Sequence, residues 1–153
     1  MGGSNTKFAL RRTPIGLGLF TTMRIAKGDF VIEYTGKLLS NKEADYLNSR
    51  YLFQVNSRWT LDGSGRENLS RYINHSCRPN CVAYTTRLKI RIYAKRHIVA
   101  GEELCYDYGK EYFDEFIRPK GCACLQCAGR NGAGRNGGSG NGAGRNGGTR
   151  AAP

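Results

Sequence analysis

Three stretches of this chain concentrate side chains that can do chemistry. Arg71-Tyr-Ile-Asn-His-Ser-Cys-Arg-Pro-Asn80 sets an imidazole, a thiol and two amides close together. Gly101-Glu-Glu-Leu-Cys-Tyr-Asp-Tyr-Gly109 sets two phenols beside carboxylates. Cys122-Ala-Cys124-Leu-Gln-Cys127 crowds three thiols into six residues. Clustered thiols without a secretory signal point to metal rather than disulfides, and zinc takes four ligands in a closed structural site. Two shorter pieces precede these, Gly16-Leu17-Gly18-Leu19 and Glu33-Tyr-Thr-Gly36. Glycines of the first would let the backbone approach a ligand closely, but no Gly-Lys-Ser/Thr follows, which excludes a phosphate loop. Taken singly, each piece has a plainer reading. Asn74 and His75 could form a hydrogen-bonded turn before Pro79, and Tyr106-Asp-Tyr108 could be an ordinary packed strand end. Cys81 and Cys105 read as buried strand cysteines.

The elements that must position these residues are mostly short strands. Apolar alternation or short apolar runs mark strands at Phe30–Tyr34 and Tyr51–Val55, and a hairpin of Cys81–Tyr84 and Leu88–Tyr93 around Thr85-Thr-Arg87. In its second arm Leu88, Ile90 and Ile92 share one face and Arg87, Lys89 and Arg91 the other, which reads first as a solvated sheet face. Helices are few. Ser40-Asn-Lys-Glu43 is a capping box opening a helix over 42–49, and short helices are expected within 68–73 and 111–117. The segments Ile25-Ala-Lys-Gly28-Asp-Phe-Val31 and Ile98-Val-Ala-Gly101-Glu-Glu-Leu104 echo one another as two similar glycine turns. The fold class is mainly β.

The 153 residues leave room for one domain and carry 24 basic against 12 acidic side chains, a net +12. That excess favours acidic partners and solubility without naming a reaction. From Ala128 the chain repeats itself: NGAGRNGGSG, then NGAGRNGGTR, with four arginines, no acid and no large apolar residue. Such a tail cannot bury enough surface to offset its backbone entropy and is expected to be disordered, a solubilising extension or a weak arm for nucleic acid. No apolar run is long enough to span a membrane or to serve as a secretory signal, so an intracellular location is expected.

Read together and in order, the motifs resemble the SET-domain protein lysine methyltransferases with a short cysteine-rich post-SET segment. The match runs through Gly-x-Gly, Tyr34-x-Gly36, Asn74-His-Ser-Cys77, Leu104-x-Tyr-Asp-Tyr108 and Cys122-x-Cys-x-x-Cys127, with Tyr51-Leu-Phe53, Asp62 and Asn68 at intermediate landmarks. The resemblance implies small curved β-sheets, short helices and a knot-like crossing of the Asn-His-Ser segment with the segment around the last tyrosine. It divides the chain into a short N-terminal extension (1–7), a SET domain (8–117), a post-SET segment (118–128) and the tail (129–153).

It further implies S-adenosylmethionine as cofactor, held by Gly16, Leu17, Gly18, Leu19, Tyr51, Arg71, Asn74 and His75. Tyr34, Phe53, Tyr106 and Tyr108 would line the lysine channel, with Tyr108 as the catalytic tyrosine and Tyr34 and Tyr106 beside it. Cys77 would join Cys122, Cys124 and Cys127 on a structural zinc, although the family commonly spaces its last pair of cysteines more widely. The substrate would be a lysine-bearing protein or peptide, histone tails among the candidates, with mainly monomethyl product; in a eukaryote the protein would be nuclear or chromatin-associated, and otherwise cytoplasmic. Two other functions stay open on the sequence: a catalytically silent SET-like module, and a zinc-dependent nucleic-acid-binding protein. The last would require aromatic platforms exposed beside the basic stripe.

Overall fold

The computed structural model describes residues 6–128. The glycine- and arginine-rich tail from Gly129 and the first five residues lie outside them. Two two-stranded and two three-stranded sheets make up the strand structure of the described residues. Strands β1 (Phe8–Thr13) and β2 (Gly16–Thr21) form an antiparallel hairpin. Strands β3 (Phe30–Tyr34), β8 (Cys81–Thr86) and β9 (Lys89–Ala94) form a sheet in the order β3-β9-β8. Strands β4 (Lys37–Ser40), β5 (Leu52–Gln54) and β6 (Trp59–Asp62) form another in the order β4-β6-β5. Last, β7 (Asn74–His75) runs parallel to β10 (Cys105–Tyr106). This mainly-β architecture of small sheets is the expected one, and the parallel pair joins the two segments expected to cross.

The β3 strand shows how the sequence aims a side chain. Strict alternation would put Tyr34 on the face opposite Val31, yet both are buried, at 1% and 2% exposure. A register shift between Phe30 and Ile32 against β9 absorbs one residue and re-aims the strand end inward. Leu19, Ile73, Ile90, Ile92, Ile98 and Leu104 complete a single core around the tyrosines.

The echoed glycine segments pair with one another. Ile25 and Ile98 exchange backbone hydrogen bonds of 2.9 Å in each direction. Gly28 and Gly101 adopt nearly the same left-handed φ, +87° and +88°. The carboxylate after each glycine accepts from a backbone N–H three residues earlier, Ala26 to Asp29 and Val99 to Glu102. The two similar turns thus brace each other and anchor the start of β3 and the approach to β10.

Of the expected helices, the first is shorter than its sequence suggested. The Ser40–Glu43 capping box forms, but α1 stops at Asp45 rather than near Ser49. The 68–73 helix is one 3-10 turn, Leu69–Tyr72. Over 111–117 the structure has α2 (Lys110–Tyr112) followed by a π-helical turn, Phe113–Ile117. The β8–β9 turn falls at Arg87 and Leu88, both at positive φ, so Leu88 leaves the buried face it was expected to share. Bulky residues carry no turn signal there, which is why the spacing misplaced it. No helix among the described residues is long and apolar enough to cross a membrane.

Candidate functional site: an aromatic cluster beside a thiol quartet

The four aromatic residues expected around a channel meet in one chain of rings. Ring centroids lie 5.4 Å apart for Tyr34–Phe53, 6.4 Å for Phe53–Tyr106 and 4.9 Å for Tyr106–Tyr108. All four are at most 3% exposed. Each comes from a different place: Tyr34 ends β3, Phe53 is the middle of β5, Tyr106 ends β10, and Tyr108 follows it. The ring chain continues through Tyr112, edge-on to Tyr108 at 5.3 Å, and Phe116 at 4.8 Å from Tyr112. Sequence reasoning missed these two. Tyr112 stands four residues after Tyr108, a helical spacing that could have flagged it.

Two hydroxyls of this cluster have their protons committed. Tyr108 Oη donates to the Ile73 carbonyl at 2.6 Å, and Tyr34 Oη donates to the Tyr51 carbonyl at 3.0 Å. Each oxygen then turns acceptor lone pairs toward other groups. Burial pushes the pKa of Tyr108 and Tyr106 well above the ordinary tyrosine value, and burial, with the Asp62 carboxylate adding to it, also raises Tyr34. Neutral phenols of this kind orient and accept; they are not bases near neutral pH.

Buried amides fix the backbone segments that carry these rings. Asn68 donates to the Gly63 carbonyl at 3.1 Å and accepts from the Thr35 N–H at 3.2 Å and from the Ser70 hydroxyl. It ties the end of β3 to the loop after β6. Asn80 accepts from the Cys105 N–H at 2.9 Å and donates to the Glu103 carbonyl at 2.7 Å. The Pro79-Asn80 end of the motif therefore staples the strand that carries Tyr106.

Asn74 and His75 sit where the two segments meet. Asn74 Nδ2 donates to the Leu17 carbonyl at 3.2 Å and to Glu103 Oε1 at 2.8 Å. The Gly-x-Gly strand is thereby fixed to β7. A Cβ on Gly18 would stand 2.5 Å from Glu103 Oε1, so only glycine lets this carboxylate pack across β2. Gly16 closes the β1–β2 hairpin, and Leu19 is fully buried with its carbonyl accepting from the Leu104 N–H at 2.8 Å. The His75 ring accepts at Nδ1 from the Tyr108 N–H at 3.2 Å, while Nε2 lies 3.4 Å from Cys77 Sγ. Burial lowers its pKa against the pull of Asp107, 3.8 Å away, which keeps the imidazole neutral and Nδ1 an acceptor.

Tyr51 and Arg71 lie beside Tyr34, whose hydroxyl donates to the Tyr51 carbonyl. The Arg71 guanidinium lies 4.0 Å from the Tyr51 ring centroid and donates to the Ser64 carbonyl. Its Nε is buried without a hydrogen-bond partner among the described residues. The 3-10 turn bearing Arg71 packs on β2. A cavity of about 260 Å³ opens between Thr13–Ile15, Asn74–Ser76 and Ala123–Ala128.

Cys77, Cys122, Cys124 and Cys127 form the second centre, with all four sulfurs within 4.8 Å of one another. Cys77 Sγ is 3.8 Å from Cys122 Sγ and 3.7 Å from Cys127 Sγ. A zinc–sulfur bond of about 2.3 Å in a tetrahedron requires sulfur–sulfur edges of about 3.8 Å, so the quartet fits the metal. The close Cys124–Cys127 spacing works because α3 (Leu125–Ala128) is one turn, with the Cys127 and Ala128 N–H groups donating to the Cys124 carbonyl at 2.9 and 2.8 Å. Burial raises the Cys124 thiol, but donors from the backbone of Cys77 and Cys127 and from neighbouring thiols bring it down to about 7. Cys81 and Cys105 stand apart from the quartet, both pushed up to about 12 by burial.

The span that carries this site is similar to known proteins. Residues 16–109 match the family described as the SET domain, from the first glycine of Gly-x-Gly to the residue after Tyr108. The chain is 40% identical over 124 residues to histone-lysine N-methyltransferase trithorax of Drosophila virilis, an alignment covering 73% of this chain and 3% of that protein. It is 43% identical over 105 residues to the H3 lysine-4 specific histone-lysine N-methyltransferase of Schizosaccharomyces pombe, covering 60% of this chain and 11% of that one. A solved structure, a humanised mutant of the Chaetomium thermophilum Polycomb Repressive Complex 2 bound to an inhibitor, aligns with a TM-score of 0.63 at 35% identity over 70% of this chain and 15% of its own. The chain thus spans only a small part of the length of these relatives. The matched span holds the Gly-x-Gly strand, the Asn-His crossing and all four channel aromatics in the order seen here, and on that ground the chain belongs to the SET-domain family.

Proposed function

We propose that this chain catalyses S-adenosylmethionine-dependent transfer of a methyl group to the side-chain amine of a lysine in a protein, a histone being the substrate class its relatives' names suggest. The observation that carries the reading is the pair of buried hydroxyls, Tyr108 and Tyr34, whose protons are spent on main-chain carbonyls inside an aromatic channel. An amine entering there finds acceptor oxygens for its N–H groups and ring faces for its cationic charge. A free lysine has a pKa of about 10.4, and making it neutral near pH 7 costs about 4 kcal/mol. Burial among four rings penalises the ammonium and lowers that cost. Tyr108 then orients the lone pair, and water carries the proton away. Bound S-adenosylmethionine would supply the activated methyl on its sulfonium.

The cofactor residues proposed are Gly16, Leu17, Gly18, Leu19, Tyr51, Arg71, Asn74 and His75. Their support is local: the cavity bordered by Asn74 and His75, and the unpartnered Arg71 Nε, a donor for a carboxylate. The four thiols would hold a structural zinc that pins 122–128 over that cavity. We assign 8–117 to the SET domain and 118–128 to the post-SET segment, and a nuclear location follows if the substrate is a histone. The presence of Tyr108 and Asn74 argues against a silent module. Incubation with isotope-labelled S-adenosylmethionine and a histone mixture tests the reading: label in protein is expected, and cofactor binding without transfer to any protein would favour the silent module.

Three outcomes follow for variants. His75→Ala should weaken cofactor binding by calorimetry and slow transfer, because it also removes the acceptor for the Tyr108 N–H. Tyr106→Phe should move product from mainly monomethyl toward di- and trimethyl-lysine, read by mass spectrometry, because the phenol occupies space that a methylated amine needs to turn. Deleting 129–153 should leave methylation of a short peptide nearly unchanged while reducing salt-sensitive association with nucleic acid.

A further inference from the structure

The sheet β3-β9-β8 has two faces with different chemistry. Its inner face carries Val31, Tyr34, Ile90 and Ile92 into the core and channel. On its outer face Phe30 stands opposite Tyr93, and Tyr84 opposite Arg91, in register. Phe30 and Tyr93 meet edge to face at 5.8 Å, and Tyr93 and Tyr84 at 5.9 Å, so three rings run in a row across three strands. These contacts fix the rings without covering them: Phe30 keeps 47% and Tyr84 58% of its surface exposed. A row of this kind is the aromatic platform that the basic stripe alone could not establish.

The cations lie beside it. Lys89 and Arg91 share the outer face, with side chains 55% and 43% exposed, and Arg87 projects from the adjoining turn. Glu33 is the acid among them, 3.8 Å from Lys89 and 3.9 Å from Arg91. Such long, solvent-exposed pairs are weak and are readily exchanged for a phosphate. We propose that this outer face binds single-stranded nucleic acid, with bases stacking on Phe30, Tyr93 and Tyr84 and phosphates taken by Arg87, Lys89 and Arg91. Bases have apolar faces that cover rings while the backbone charge meets the cations, and sheet surfaces with exposed aromatics bind single strands in this way. An acidic peptide would use the cations and leave three rings wet. The strand would lie on the side of the sheet opposite Tyr34, so the assignment does not depend on the methyltransferase reading.

The test uses the full chain and fluorescence anisotropy with three labelled probes: a short oligouridylate, an oligothymidylate of equal length and a polyglutamate peptide of equal charge. Tyr84→Ala should weaken binding of the single strands about tenfold. The double variant K89E/R91E should weaken it further and flatten its salt dependence by roughly one to two phosphate contacts. The tighter of the two strands names the polymer. Both variants should methylate a short lysine peptide at the wild-type rate, and where a variant is inactive its unfolding is read from the melting curve, with Arg87→Glu in the exposed turn taking its place. Unchanged nucleic-acid affinity in folded Tyr84→Ala, affinity lost wholly with 129–153, or tighter binding of polyglutamate than of either strand would each overturn the assignment.

Discussion

Replacing Tyr108 by phenylalanine is expected to reduce methyl transfer by about 100-fold or more while leaving the fold and cofactor binding close to wild type. The substitution deletes one oxygen from a ring that stays packed against Tyr106, Tyr112 and His75. It leaves the Ile73 carbonyl without its donor at 2.6 Å, a local loss of about 1 kcal/mol in stability. The catalytic loss is expected to be larger because the oxygen proposed to orient the amine is gone, and misdirected attack alone costs about two orders of magnitude. Single-turnover rates beside calorimetric cofactor affinity separate the two effects. A Tyr108→Phe protein that transfers methyl at near the wild-type rate would show that the lone pair is set by some other group. A protein that also loses cofactor binding would place Tyr108 in the binding wall rather than at the reacting amine.

The second large effect is expected at the thiol quartet. Purified protein should carry about one zinc per chain, and Cys124→Ser should lose it together with most of the transfer activity. Cys124 is 6% exposed, and its thiol is held by the backbone of Cys77 and Cys127 and by the thiols of Cys122 and Cys127, so its loss opens the quartet. Loss of the metal frees 122–128, which borders the cavity, and it removes the fixed sulfur beside His75 Nε2. Through the His75 bond to the Tyr108 N–H the disturbance reaches the channel. Transfer should fall about tenfold or more, in the range seen when groups supporting a metal site are removed. Metal content by mass spectrometry and activity on the same sample decide it. A metal-free preparation with full activity would overturn the role given to the four cysteines.

How far these features could be read from the residues varies with the kind of feature. The motif strings named Tyr34, Tyr106, Tyr108 and the clustered cysteines as candidates from residue type and order, and in the structure the rings meet in one chain and the four sulfurs in one cluster. Phe30–Tyr34 was legible as a strand, but its bulge was not, since no residue there advertises a register shift. The β1–β2 hairpin escaped notice because Arg11 and Arg12 interrupt the apolar alternation and the turn at Pro14-Ile15 lacks glycine at its centre. Strands β7 and β10 are two residues each and exist only through their mutual pairing. Asn80 was recognised as part of a motif, while its task as a staple on Cys105 depends on a contact 25 residues away. Tyr112 ends α2, and only its spacing of four residues from Tyr108 pointed to it. Exposure of Tyr84 and Phe30, which separates a solvated stripe from a platform, is a property of packing and not of spacing.

The most direct test of the central claim is the chemical identity of the product. Wild-type protein and the Tyr108→Phe variant would be incubated with S-adenosylmethionine and a histone mixture, and the proteins mapped by tandem mass spectrometry. A methyl group on a lysine side chain, mostly single, present with the wild type and absent with the variant, is the predicted result. A metal-loaded, cofactor-binding wild type that methylates no lysine, or that methylates equally without the Tyr108 hydroxyl, would contradict it.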